Sequence, residues 1–234
     1  MNSLNKFVYV ALIEMHTWAG SIIKFLTGIP YSHITISFDE NLESCHAIQT
    51  LNEHTPLIAN YVNENPSYYV INNNKQKKVR IAKYKIPVTE EEKKNIEEFI
   101  NEYRNDTEYL YNMFSAGTSL VLGGFRIHKT MICGEFVAKI LTFISSVKFP
   151  KPYYKMFPKD FYKYLNEYKI YEGELDTSTI ERDEHDIHFA KIKTWNYLKK
   201  SMYIVRELIY RLIFKKVSKN FDYRKARITE EDKK

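Results

Sequence analysis

A chain of 234 residues with 44% hydrophobic content is long enough for one core-bearing domain plus an appendage, and too short for two large equal ones. Its two cysteines exclude a disulfide framework and point to a reducing compartment or to a thiol kept for reactivity. The net charge of +6 is unevenly placed: residues 189–234 hold 14 Lys/Arg and 5 Asp/Glu, a net of +9 that leaves −3 for the rest, so an anionic partner is to be sought at the tail.

In chain order, the N-terminal "MNSLNKFVYVALIEMHTW" has one lysine and a short apolar run closed by Glu14, with no small-residue cleavage site, so no signal peptide is expected. "FVYVALI" reads as a buried strand, and "SIIKFLTG" as one or two helical turns ended by Gly28. "YSHITISFD", with alternating Ile34, Ile36 and Phe38, predicts a half-buried strand that turns at Glu40-Asn41 into a returning strand "ESCHAIQ". Residues 50–66, with Pro56 and Pro66, read as an extended loop. "SYYVI" opens another strand, "NNNKQKK" is a polar turn, and "VRIAKYKI" is a strand ending at Pro87.

"TEEEKKNIEEFINEY" carries a capping box from Thr89 to Glu92 and an apolar face of Ile96, Phe99, Ile100 and Tyr103, the pattern of an amphipathic helix. "YLYNMFSAGTSLVLGG" is read as helical up to Gly123-Gly124. In "TMICGEFVAKILTF", Thr130 is placed as the N-cap of a helix that buries Ile132, Phe136, Val137, Ile140, Leu141 and Ile144 and carries Cys133 in its first turn. A proline-rich stretch with a last short helix closes the main domain at about residue 170. Residues 171–187, acidic and poor in apolar side chains, read as a solvated linker. In residues 188–234, Trp195, Leu198, Met202, Val205, Ile209 and Leu212 recur at spacings of three and four, which predicts a basic amphipathic helix from about 188 to 218. No run reaches the roughly 20 apolar residues of a membrane span.

Cys133 and His33 supply the chemistry a thiol hydrolase needs. A thiol at a helix N-terminus feels the partial positive charge of unpaired N–H groups, and a histidine on a rigid strand can hold and return its proton. The order of these residues carries a resemblance. Tyr31-Ser32-His33 on a hairpin strand, followed about a hundred residues later by Cys133-Gly134-Glu135-Phe136-Val137, resembles the circularly permuted branch of the NlpC-type papain-like cysteine hydrolases, which includes bacterial permuted amidases and lecithin-retinol-acyltransferase-like enzymes. The resemblance covers roughly residues 7–165. It departs at Gly134, where those proteins usually have serine.

The resemblance implies an α+β, permuted papain-like fold in which an antiparallel sheet packs against the cysteine-bearing helix. It implies Cys133 as nucleophile, His33 as acid and base, and an oxyanion site at the N–H groups of Cys133 and Gly134. Tyr31 and Ser32 are assigned to substrate binding. The third polar group is expected on the strand paired with the histidine strand. His46, thirteen positions after His33, is the first candidate, with Gln49 and Ser44 behind it.

The activity implied is cleavage or transfer at an amide or ester bond of a lipid or cell-wall peptide through a thioester, with no metal or cofactor. The alternative is an idle member of the fold serving as a binding or structural part of a phage or surface assembly. The expected location is cytoplasmic or virion-associated in a host cytoplasm, with peripheral membrane contact in view.

Other residues read blandly. Cys45 and His46 are adjacent on a strand and point to opposite faces, which disfavours a shared metal. His185 and His188 are expected in solvent, Glu135 is placed in solvent at the helix start, and Tyr109 and Tyr111 are packing residues. The tail helix admits three roles: packing against the domain or a second copy, lying on an anionic membrane, or docking on a protein assembly. Nucleic acid ranks last because no docking motif accompanies the charge.

Overall fold

The computed structural model describes residues 6–15, 28–69, 78–116, 126–177, 180, 181, 183 and 185–234. The readings of "SIIKFLTG" up to its last residue, of "NNNKQKK" up to its last residue, and of the Gly123-Gly124 breaker lie outside those residues. The protein is a mixed α+β structure built on a six-stranded antiparallel sheet in the order β4-β3-β2-β1-β5-β8. Its strands are β1 (Lys6–Ile13), β2 (His33–Ser37), β3 (Cys45–Thr50), β4 (Ala59–Glu64), β5 (Lys78–Val88) and β8 (Lys169–Asp176). Two short parallel strands, β6 (Leu110–Tyr111) and β7 (Thr130–Met131), pair beside it.

Period-two alternation sorts β1 between the two faces of the sheet. Val8, Val10 and Leu12 join Ile34, Ile36 and Ile48 in the main core, whereas Tyr9, Ala11 and Ile13 pack on the other face with Cys45 and Tyr69. Over the main core lie α1 (Glu90–Asn105) and α2 (Cys133–Leu141), which bury Ile96, Ile100, Phe136, Val137 and Ile140 there. The capping box at Thr89 forms as expected, and the same Glu92 carboxylate also accepts the N–H and hydroxyl of Ser145. One side chain thereby ties the start of α1 to the segment that follows α2. A third helix, α3 (Pro158–Tyr164), contributes Phe161 to the same core.

Four expectations are corrected. Residues 50–66 are not all loop, because 59–64 form β4, whose Val62 and Tyr61 pair with Ala47 and Ile48. "SYYVI" does not open a strand, since Pro66–Tyr69 is a 3₁₀ turn. Strand β5 runs through Pro87 to Val88: β8 pairs only as far as Tyr84, so the proline sits where β5 has a neighbour on one side alone. The supposed linker begins as β8, an edge strand whose acidic composition suits its position. Glu172 and Glu174 face solvent at the sheet rim, and Glu174 pairs with Lys78 at 3.0 Å.

The tail is folded against the main domain. Its helix, α4 (Thr194–Phe214), and the turns after it form a second core in which Ile192, Ile204, Leu208 and Phe221 meet Leu51, Ile58, Leu110 and Ile127. The face of α4 turned inward differs from the expected one. The buried residues are Ser201, Ile204, Glu207, Leu208 and Arg211, while Trp195, Leu198, Met202, Ile209 and Leu212 are exposed.

A buried ion pair explains how a polar face can be the inner one. Arg211, 1% exposed, donates from Nε to Glu207 at 2.8 Å and from Nη1 to the Lys129 carbonyl at 3.0 Å, just before the cysteine helix. Glu207 in turn accepts the N–H and hydroxyl of Ser218. The chain end is pinned by the Lys193 N–H on the Asp232 carbonyl and the Lys234 N–H on that of Lys191. Removing one partner of a buried pair strands the other charge. Arg211→Ala is therefore expected to lower the unfolding free energy by about 3 kcal/mol, measured by urea denaturation.

Candidate active site

The site begins at the first residue of β2. Pairing of Ile13 with His33 puts the histidine on the face that carries Cys45 and Tyr69, and its ring is buried, with 5% of the residue exposed. Its Nε2 lies 2.8 Å from Glu64 Oε1; a carboxylate has no hydrogen to give, so the imidazole donates. The other carboxylate oxygen of Glu64 accepts the Tyr69 hydroxyl at 2.8 Å. Glu64 is thus held from two sides, by β2 and by the 3₁₀ turn that Pro66 starts.

The Cys133 side chain also acts on the His33 ring, and with Nε2 engaged by Glu64 it is Nδ1 that is left for a partner. Burial alone lowers the imidazole pKa, but the Glu64 carboxylate and the Cys133 side chain outweigh it and raise it to about 10. At neutral pH His33 therefore carries its proton, enclosed between a carboxylate and a sulfur.

Helix α2 presents Cys133 as its first residue. Thr130 is not the cap, because it belongs to β7 and its hydroxyl donates to the Ile127 carbonyl. Ile132 is the cap residue, and Glu135 reaches back to accept its N–H at 3.1 Å. Glu135 is buried rather than solvated. Desolvation pushes its carboxyl up to about 7, against the pull of the Ile132 N–H and of Arg126. Tyr111 also feels Cys133: burial first, then the charges of Cys133 and Glu135, raise its phenol.

Gly134 has a steric reason. A Cβ there would drive into the Met156 carbonyl, closer than side-chain carbons tolerate, so the serine that the resemblance leads one to expect cannot be seated without moving the backbone at Met156.

Three assigned roles are corrected. His46 does not meet His33: pairing of Ile36 with His46 places it on the main-core face, where its Nδ1 bonds the Tyr61 hydroxyl at 2.7 Å. Burial first, and then Arg104, lower its pKa. A strand that alternates in and out sends His33 and Ile36 to opposite faces, so the partner opposite Ile36 cannot orient His33. Tyr31 is 1% exposed, donates to Glu172 at 2.9 Å and packs on Tyr162, and the Ser32 hydroxyl accepts the Met15 N–H at 3.1 Å; neither side chain is open to a substrate.

Ser44 donates to Asn63 at 2.9 Å, away from the histidine, while Gln49 is buried with its amide nitrogen unpartnered. Cys45 is buried too; desolvation and then Glu64 push its thiol up to about 12. His188, expected in solvent, is buried and stacks on Tyr68 at 4.0 Å.

Glu64 is the residue that sequence reading missed. It stands in "ANYVNENP", whose weak alternation and many asparagines resemble a loop, and only the pairing of β4 with β3 reveals a buried carboxylate there. No known family, characterised protein or solved structure matches this chain.

Two measurements check this geometry. The His33 imidazole is expected to titrate near pH 10 by NMR, and in Glu64→Gln to fall to or below the ordinary value of about 6.5. Because the folded-state pKa is raised, the pair's contribution to stability is complete below about pH 6.5 and is lost as pH rises through about 10, and Glu64→Gln should lack that loss. Gly134→Ser is expected to destabilise the fold by about 1–3 kcal/mol in urea denaturation, as overpacking does.

Proposed function

We propose that the protein is a cysteine-dependent hydrolase or acyltransferase acting on an amide or ester bond, with Cys133 as nucleophile, His33 as acid and base, and Glu64 as the group that orients and charges His33. The carrying observation is the buried 2.8 Å contact between Glu64 and the His33 ring, together with the influence of the Cys133 side chain on that ring, from three elements far apart in sequence. A merely structural histidine does not need both a buried carboxylate and a thiol at a helix start. The resemblance to permuted NlpC-type papain-like hydrolases supports the same reading, with Glu64 in the place first given to His46.

In the reaction the Cys133 sulfur, having given its proton to His33, attacks the carbonyl carbon, and negative charge collects on the carbonyl oxygen. The N–H groups of Cys133 and Gly134 are the first two of α2 and have no intrahelical acceptor, which suits them to receive that oxygen. As the bond to the leaving group breaks, the His33 proton passes to the departing nitrogen or oxygen, leaving a thioester on Cys133. Neutral His33 then takes a proton from water or from an acceptor hydroxyl or amine. The oxygen or nitrogen so activated attacks the thioester and expels the sulfur, and the histidine is again protonated. Glu64 holds the ring plane throughout, with Tyr69 fixing the carboxylate.

A catalytically idle scaffold is the competing class, and thiol reactivity separates the two. With iodoacetamide at neutral pH, Cys133 is expected to be alkylated at least about tenfold faster than Cys45, whose thiol is buried and weakly acidic. His33→Ala should abolish that preference. Equal, slow labelling of both cysteines would favour the scaffold.

A further inference from the structure

The side of α4 that faces solvent is its apolar side. Trp195 is 66% exposed, Met202 71% and Ile213 64%, and Leu198, Ile209, Leu212 and Phe214 are exposed with them. These positions recur at three-, four- and seven-residue steps along a helix of 21 residues, so they form one stripe about 30 Å long. The inner side holds Ile204 and Leu208 together with the buried polar residues Ser201, Glu207 and Arg211. The helix is thus apolar on two sides, and the outer one is a contiguous hydrophobic strip without cover among the described residues; such strips mark an interaction surface.

The charges beside the strip select its occupant. Lys199 and Arg206 are exposed on the same side, and Lys215, Lys216 and Lys219 follow at its C-terminal end. The one acidic residue of α4 is Glu207, which is buried and paired with Arg211. The exposed face is therefore apolar and basic, with no carboxylate. A second copy apposed on this face would bring Lys199 and Arg206 against their own counterparts, whereas an anionic lipid surface neutralises the lysines and takes up the apolar stripe. Trp195, with Lys199 at 5.1 Å from its ring, has the amphipathic pairing found at a lipid interface.

We propose that α4 is a membrane-docking helix that lies in the surface of an anionic bilayer, with Trp195, Leu198, Met202, Ile209 and Ile213 among the acyl chains and Lys199, Arg206, Lys215 and Lys216 at the phosphates. The helix does not cross the bilayer: among the described residues no helix is long and apolar enough to do so. Docking leaves the buried side of α4 on the protein, where Arg211 and Glu207 hold it. This inference is independent of the thiol chemistry.

Co-sedimentation of the full chain with vesicles tests it, comparing phosphatidylcholine alone with phosphatidylcholine containing phosphatidylserine. Binding to the anionic vesicles is expected to be at least about tenfold stronger and to weaken with salt. In a Trp18→Phe background, the Trp195 emission should shift to the blue on binding.

The double variant Met202→Ser/Ile213→Ser should lose binding by about tenfold or more, and Lys215→Glu/Lys216→Glu should lose the preference for anionic lipid, both with unchanged thermal midpoints because the sites are exposed. Absence of vesicle binding by the unmodified protein would overturn the proposal, as would equal binding to both lipid compositions. A lipid-free dimer that Met202→Ser/Ile213→Ser dissociates, with no vesicle binding, would assign the strip to a second copy instead.

Discussion

A single buried carboxylate organises the candidate site. Glu64 is almost wholly removed from water, and its burial is offset because the Tyr69 hydroxyl and the His33 imidazole satisfy its two oxygens. The same contacts turn His33 into a cation in a position where burial would otherwise make it neutral. Each partner justifies the burial of the other: without Glu64 a buried imidazole loses its proton, and without His33 the carboxylate is left with a phenol alone.

The surrounding architecture serves to bring Cys133 to this pair. β6 and β7 deliver the chain to the start of α2, and the buried Arg211, bonded to the Lys129 carbonyl, fastens the C-terminal helix immediately before that point. The tail is in this sense part of the frame of the site. Two close fits set its tolerances: Glu135 closes the N-terminus of α2 from inside, and Gly134 lets the Met156 carbonyl approach. The buried Glu135, with its raised carboxyl, carries less negative charge near neutral pH than an ordinary carboxylate would.

Sequence reading reached the elements whose signals are local. β1, the β2–β3 hairpin, the capped helix α1 and the helix of Cys133 all follow from alternation, turn residues and helical spacing. What failed depended on pairing. Whether His46 or another residue faces His33 is decided by the parity of a hairpin, and one step of register reverses the answer.

Glu64 could not be found because β4 is polar enough to pass for a loop until its partner is known. β8 has the composition of a linker because an edge strand needs no apolar residues of its own. The apolar stripe of the tail helix is legible in the sequence but what covers it is not, since spacing locates an apolar face without saying where it turns. Here Arg211, paired with Glu207 and with the His128 and Lys129 carbonyls, lets the opposite face be the buried one.

The reading of the site rests on the sulfur of Cys133 acting as a nucleophile through His33, and acyl transfer to that sulfur tests it most directly. Intact-mass and peptide analysis after brief exposure to p-nitrophenyl acetate should show one acetyl group, carried by Cys133, with a burst of nitrophenolate that disappears in His33→Ala. Acetylation spread over lysines, or a Cys133 adduct formed as fast in His33→Ala as in the unmodified protein, would contradict the account.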